Sequence, residues 1–196
     1  ANVFDTAKYI LDQKGPMSAM KLQKLCYYSQ AWSLVWDDTP LFNEEFQAWA
    51  NGPVCPELFQ KTKGKYLIKS SDETGGEGNL DDNQKDTINR VLAHYGDHNA
   101  QWLSQLTHME DPWMKARDGV PSGAGCNHII TKESMAMIMA ASKKDKIVKR
   151  SFNSKNKQVI QNSNPNQYYQ ENPAWSFASI DQEMWPFTEE HIGPLF

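Results

Sequence analysis

Several places in the chain hold residue types that could do chemistry. His94 and His98 stand four apart, the spacing that puts two metal ligands on one helix face. Gly96 falls between them as a helix stop, and no carboxylate stands where a zinc hydrolase needs one, so surface histidines are the preferred reading. Ser18-Ala19-Met20-Lys21 has the Ser-x-x-Lys spacing of an acylating serine but lacks the companion motifs, and a helix cap explains Ser18 without chemistry. Cys126-Asn127-His128 makes no dyad, because adjacent side chains rarely face one another. Gly75, Gly76 and Gly78 suggest a phosphate loop, but the Gly-Lys-Ser/Thr ending is absent and a surface loop fits better. His108 has two readings. It is a catalytic or contact group, or a partly buried imidazole bonded to backbone near the turn before Pro112; the second is preferred. An enzyme would have to be assembled from residues distant in sequence, with His108, Cys126 and Lys21 as its raw material.

The elements that position these residues come from a chain of 196 residues, 39% hydrophobic and 22% charged. That is one domain, with room for an appendage. A chain of this size buries about 70% of its unfolded surface and builds a core without staples. The formal charge of −4 argues against a general nucleic-acid binder. Cys26, Cys55 and Cys126 are odd in number and widely spaced, so they read as reduced thiols in a cytoplasmic protein. No uncharged apolar run approaches the ~18 residues of a membrane span. No metal or nucleotide cofactor is expected.

A first helix is capped by Asn2 or Asp5, turns Val3, Ala7, Ile10 and Leu11 inward and ends at Gly15-Pro16. A second, capped by Ser18 and running to Val35, buries Leu22, Leu25, Cys26, Ser29 and Trp32, with Lys21, Lys24, Tyr28 and Gln30 mostly elsewhere. It is expected at the centre of the core. Phe46, Ala48 and Ala50 alternate with Gln47 and Trp49 as a strand, and Asn51-Gly52-Pro53 is turn chemistry. Pro56 opens a short helix with Leu58, Phe59 and Thr62, stopped at Gly64. Tyr66-Leu67-Ile68 reads as a short strand. Asp81 or Asp82 caps a helix with Ile88, Val91, Leu92 and Tyr95 inward. Another carries Trp102, Leu103 and Leu106, and Asp111 caps a short helix with Pro112 at its first position. Ile129-Ile130 is a strand fragment. Thr131 caps a helix with Met135, Ile138, Met139 and Ile147. The fold class is mainly α with a minor β component, a compact helical domain with a short strand or hairpin before the Gly-Pro-Val turn.

Three ordered segments resemble one family. Met20-Lys21-Leu22-Gln23-Lys24-Leu25-Cys26-Tyr27-Tyr28-Ser29-Gln30-Ala31-Trp32, then Pro40-Leu41-Phe42, is followed by Phe46-Gln47-Ala48-Trp49-Ala50-Asn51-Gly52-Pro53-Val54, then by Leu103-Ser104-Gln105-Leu106-Thr107-His108 and Pro112-Trp113. The central one is similar to the "F-x-A-W-x-x-G-P-V" signature of the Panacea domain, also called the SocA-like or GepA-like antitoxin domain, a phage-associated family. The resemblance runs from about Val3 to Ile147. It makes Lys21, Leu22, Lys24, Leu25, Tyr27, Phe46, Ala48, Trp49, Gly52, Pro53, Val54, Leu106, Thr107, His108, Pro112 and Trp113 the family-motif residues.

The resemblance implies an antitoxin, not an enzyme, that neutralises a cognate protein toxin encoded beside it by direct contact. Some SocA-like members act as protease adaptors. A nucleic-acid-binding regulator is the alternative; no helix-turn-helix is evident. Residues 1–149 form the Panacea-like domain and 150–174 an Asn/Gln-rich polar linker. Lys143 to Lys157 holds seven basic residues against one acidic. Residues 175–196 form an aromatic acidic segment, in which Trp175, Phe177, Trp185 and Phe187 either anchor a partner or pack back on the domain.

Overall fold

A computed structural model describes residues 1–72 and 79–137. The chain divides into two units, 1–141 and 142–196, and the description concerns the first. The glycine loop, Ile138, Met139, Ile147, the linker and the segment bearing Trp175, Phe177, Trp185 and Phe187 lie outside the described residues.

The described unit is mostly helical, with a small three-stranded antiparallel sheet. Helix α1 spans Val3–Lys14. Asn2 and Asp5 form a reciprocal capping box at its start, and Gly15, at φ 77°, carries the chain off its end. Val3, Ala7, Ile10 and Leu11 are buried.

Helix α2, Ala19–Trp36, starts at Ser18, whose Oγ accepts from the Lys21 N–H. Every residue from Leu22 to Ser33 is buried. Lys24, Tyr28 and Gln30, expected off the apolar face, are fully enclosed. The reason is crowding from all sides: α1, the hairpin and helices α3 (Pro56–Thr62), α4 (Asp82–Tyr95) and α5 (Ala100–His108) all pack on α2. Its polar side chains survive burial by bonding main chain. The Gln30 amide takes the N–H groups of Leu41 and Phe42 and donates to the Phe42 carbonyl. Gln23 takes the Cys55 N–H and donates to its carbonyl. Ser33 donates to the Thr39 carbonyl. The strandless stretch between α2 and the sheet is thereby held by the helix.

Strands β1 (Phe46–Trp49) and β2 (Gly52–Val54) form a hairpin, and β3 (Ile129–Ile130) pairs with the other edge of β1. Phe46 and Ala48 face the core, where the Phe46 ring meets Tyr27 edge-on at 5.4 Å. The reversal falls on Ala50 and Asn51, one step earlier than expected, and Gly52-Pro53-Val54 is a strand instead of a turn. Ala50 and Asn51 keep negative φ, so Gly52 at φ 99° supplies the whole left-handed step.

Tyr66-Leu67-Ile68 forms no strand; Ile68 makes a single bridge to Met17. Asp81 caps α4 with a capping box to Gln84. Helix α5 buries Leu103, Ser104 and Thr107, while Trp102 and Leu106 are half-exposed. Helix α6, Asp111–Ala116, has Glu110, not Asp111, at its cap; Glu110 makes no side-chain cap bond because its carboxyl is turned into the protein. Residues 132–137 are helical, with the Thr131 hydroxyl accepting from the Ser134 N–H.

Candidate functional site

The family-motif segments meet where α2, the hairpin and the α5–α6 corner come together. Gly52 is the point of closest approach. A Cβ built on it would lie 2.6 Å from Thr107 Oγ1 and 2.8 Å from Lys24 Cε. No side chain fits there, and the positive φ separately excludes one.

Around Gly52 a set of side chains grips the carbonyls of the hairpin in turn. Arg117 NH1 donates to the Ala48 carbonyl at 2.7 Å, and Trp113 Nε1 to that of Trp49 at 2.9 Å. The His108 ring lies against the backbone of Ala50. Ser104 Oγ donates to the Asn51 carbonyl at 2.8 Å, and Lys24 Nζ to that of Pro53 at 3.0 Å. Gln23 holds Cys55 beyond. One segment supplies a backbone, and the others supply donors to it. That division ties the three segments to one another in this chain.

The electrostatics of the cluster follow from burial. Lys24 is fully enclosed, and the cost of desolvating an ammonium pulls its pKa down to about 7. His108 is drawn down to about 4, first by burial and then by the nearby charges of Lys24 and Arg117. Its ring stacks on Trp113, centroids 4.1 Å apart, and its Nε2 has no hydrogen-bond partner among the described residues. Burial pushes the Glu110 carboxyl up to about 8, opposed by the hydrogen bond from the Tyr28 hydroxyl to its Oε1. Glu110 Oε2 and the Tyr27 hydroxyl have no partner among the described residues. The phenols of Tyr27 and Tyr28 are held well above the ordinary value, by burial first and by Glu110 second.

Several motif residues cannot touch a partner. Leu22, Lys24, Leu25, Tyr27, Phe46, Ala48 and Val54 are fully enclosed, and Gly52, Pro53, Thr107 and Pro112 are buried. Trp49, Leu106, His108 and Trp113 are half-exposed. Lys21 stands apart near Asp97, whose carboxyl it helps hold low after Lys14, and the charges acting on His108 are Lys24 and Arg117.

The remaining candidates stay scattered. The Ser18–Lys21 pair is the helix cap. His94 is exposed against the edge of Tyr95, and His98 stacks on Trp102. Exposed His128 bonds the Ala116 carbonyl, and Cys126 sits half-exposed in the loop before β3. Among the described residues no group of three His, Cys, Asp or Glu side chains could hold a metal ion. No described helix is long and apolar enough to cross a membrane. Arg117 and Glu110 went unnoticed in the sequence, and Ser104 stood inside the third segment without a role. The only signal for them was their place within or just beyond the third segment, since a buried arginine bonded to carbonyls has no spacing of its own.

Residues 22–114 match the family described as antitoxin SocA-like, Panacea domain. The matched stretch, less than half of the chain, is similar to that domain. Among curated proteins, Antitoxin SocA of Caulobacter vibrioides (strain NA1000 / CB15N) is 32% identical over 124 residues, covering 57% of this chain and 64% of that protein. The match therefore spans less than two thirds of the relative's length. No solved structure matches the chain.

Proposed function

We propose that this chain is an antitoxin that neutralises a partner protein toxin by direct binding and catalyses no reaction. The match of residues 22–114 to an antitoxin family carries the reading. The site supports it in a second way. Lys24 is enclosed and bonds the Pro53 carbonyl, and the Tyr27 hydroxyl, Glu110 Oε2 and His108 Nε2 are buried, so they offer a substrate little access. Inhibition by contact needs instead a rigid scaffold that presents a surface, which a hairpin gripped along its carbonyls provides.

The test is co-expression with the reading frame encoded beside this one. That frame alone should arrest growth, the pair should grow, and the two proteins should co-purify in fixed stoichiometry. Rescue that needs a host protease and depletes the toxin would replace inhibition by contact with an adaptor role. Absence of arrest by any neighbouring frame would remove the antitoxin reading.

A further inference from the structure

We propose that the tip of the hairpin, Ala50 to Gly52, receives a carboxylate-bearing segment of the protein partner. The inference rests on the binding reading above and names its surface. Three observations carry it.

The first is the direction of the backbone. The carbonyls of Ala48, Trp49, Asn51 and Pro53 are each taken by a side chain of α2, α5 or α6 or by Arg117, and the His108 ring lies against the backbone at Ala50. The negative ends of these peptide dipoles are used up. The N–H groups of Ala50 and Asn51, and the Asn51 side-chain amide, have no partner among the described residues, and both residues are half-exposed. The tip therefore offers main-chain donors, while the carbonyls on either side of it are mostly taken, the arrangement that suits an anion.

The second is the charge behind the tip. Lys24 is fully enclosed and bonds a carbonyl; Arg117 is 6% exposed and bonds the carbonyls of Ala48, Pro121 and Ala124. Neither cation pairs with a carboxylate among the described residues. Burial leaves Lys24 only partly charged near neutral pH, so Arg117 is the standing cation, and an enclosed charge left unneutralised acts over longer distances than an exposed one. The titratable groups facing them are His108, which is held neutral at ordinary pH, and Glu110, which is bonded to Tyr28.

The third is the surround. Trp49 and Trp113 are half-exposed beside the tip, and Met109 and Met114 on the α5–α6 corner are 43% and 40% exposed. Tryptophan with adaptable methionine is the composition of a protein contact. A nucleic acid would need exposed cations along a track, whereas the cations here are buried behind one turn.

The probes are a hexaglutamate peptide, a hexalysine peptide and a short oligothymidine, each titrated into the 15N-labelled full chain. Saturable shifts of the Ala50 and Asn51 amide resonances with hexaglutamate, and none with hexalysine, are expected. Asn51→Asp keeps turn chemistry and places a like charge at the tip; it should abolish those shifts and weaken the toxin complex by at least about tenfold. Circular dichroism checks that the variant is folded. Silence of the tip with hexaglutamate, shifts that survive Asn51→Asp, or a stronger response to oligothymidine would each overturn the assignment. Rescue by wild type and Asn51→Asp alike would also overturn it, leaving the antitoxin reading intact. Failure of wild type itself to rescue would strike the antitoxin reading, and the peptide titration would then judge the tip alone.

Discussion

Gly52 is where the signature is least negotiable. Its φ of 99° and the 2.6 Å approach of Thr107 Oγ1 to a would-be Cβ act together. Gly52→Ala should lower stability by more than about 1 kcal/mol in urea denaturation, from strain with no contact removed. The requirement for positive φ was legible in the sequence; the thread of Lys24 beneath the glycine was not, because a lysine three residues into a helical stripe reads as a solvated position. Three buried ionisable groups also predict a pH signature. Glu110 has its folded pKa raised to about 8, so the folded state binds more protons than the unfolded one between the ordinary carboxyl range and pH 8. Its contribution to stability therefore falls as pH rises through that window. Lys24 works oppositely: with its pKa lowered to about 7, its contribution rises with pH from 7 toward the ordinary lysine value. His108, lowered to about 4, adds stability that is lost as pH falls from the ordinary histidine value toward 4. Glu110→Gln should remove the downward component, so the wild type should lose ground relative to the variant between about pH 5 and 8. A flat difference across that range would show Glu110 to be ordinary.

At the scale of elements, α2 decides the fold. Leu25→Asp places a carboxylate at a fully enclosed position and should cost several kcal/mol with loss of helix content; an unchanged melting temperature would refute the packing. Gln30→Leu tests a different property. It removes the partner of two buried N–H groups and a carbonyl, at about 1 to 3 kcal/mol for each group left unpaired, while adding apolar surface. Destabilisation there would show that satisfaction of main chain outweighs hydrophobicity at this site. The caps at Asn2, Ser18 and Asp81, the inward faces of α1 and α4, and the central place of α2 were all readable from residue types and spacing. The error over Lys24, Tyr28 and Gln30 has a definite cause. Periodicity reports which face is apolar, and α2 is surrounded, so its remaining faces are buried as well.

For the molecule as a whole, the described core belongs to one contiguous unit. A chain ending at residue 141 should retain cooperative unfolding and most of the helical signal per residue, read by circular dichroism; a non-cooperative melt would mean that the later residues complete the core. The function is legible from the sequence only through the family resemblance. Its residues turn out largely to be scaffold, and the groups that reach the surface beside them, Asn51, Met109 and Met114, carry no motif. The manner in which α2 holds its neighbours has a further consequence. Gln23, Gln30, Ser33 and Lys24 all grasp peptide groups, which every residue possesses, and leave the side chains of the grasped segments out of the bargain. A template of that kind is blind to the lettering of what it holds. An exposed position such as Thr39 can change identity while its backbone stays in place, so the surface can be rewritten there without refolding the protein beneath it.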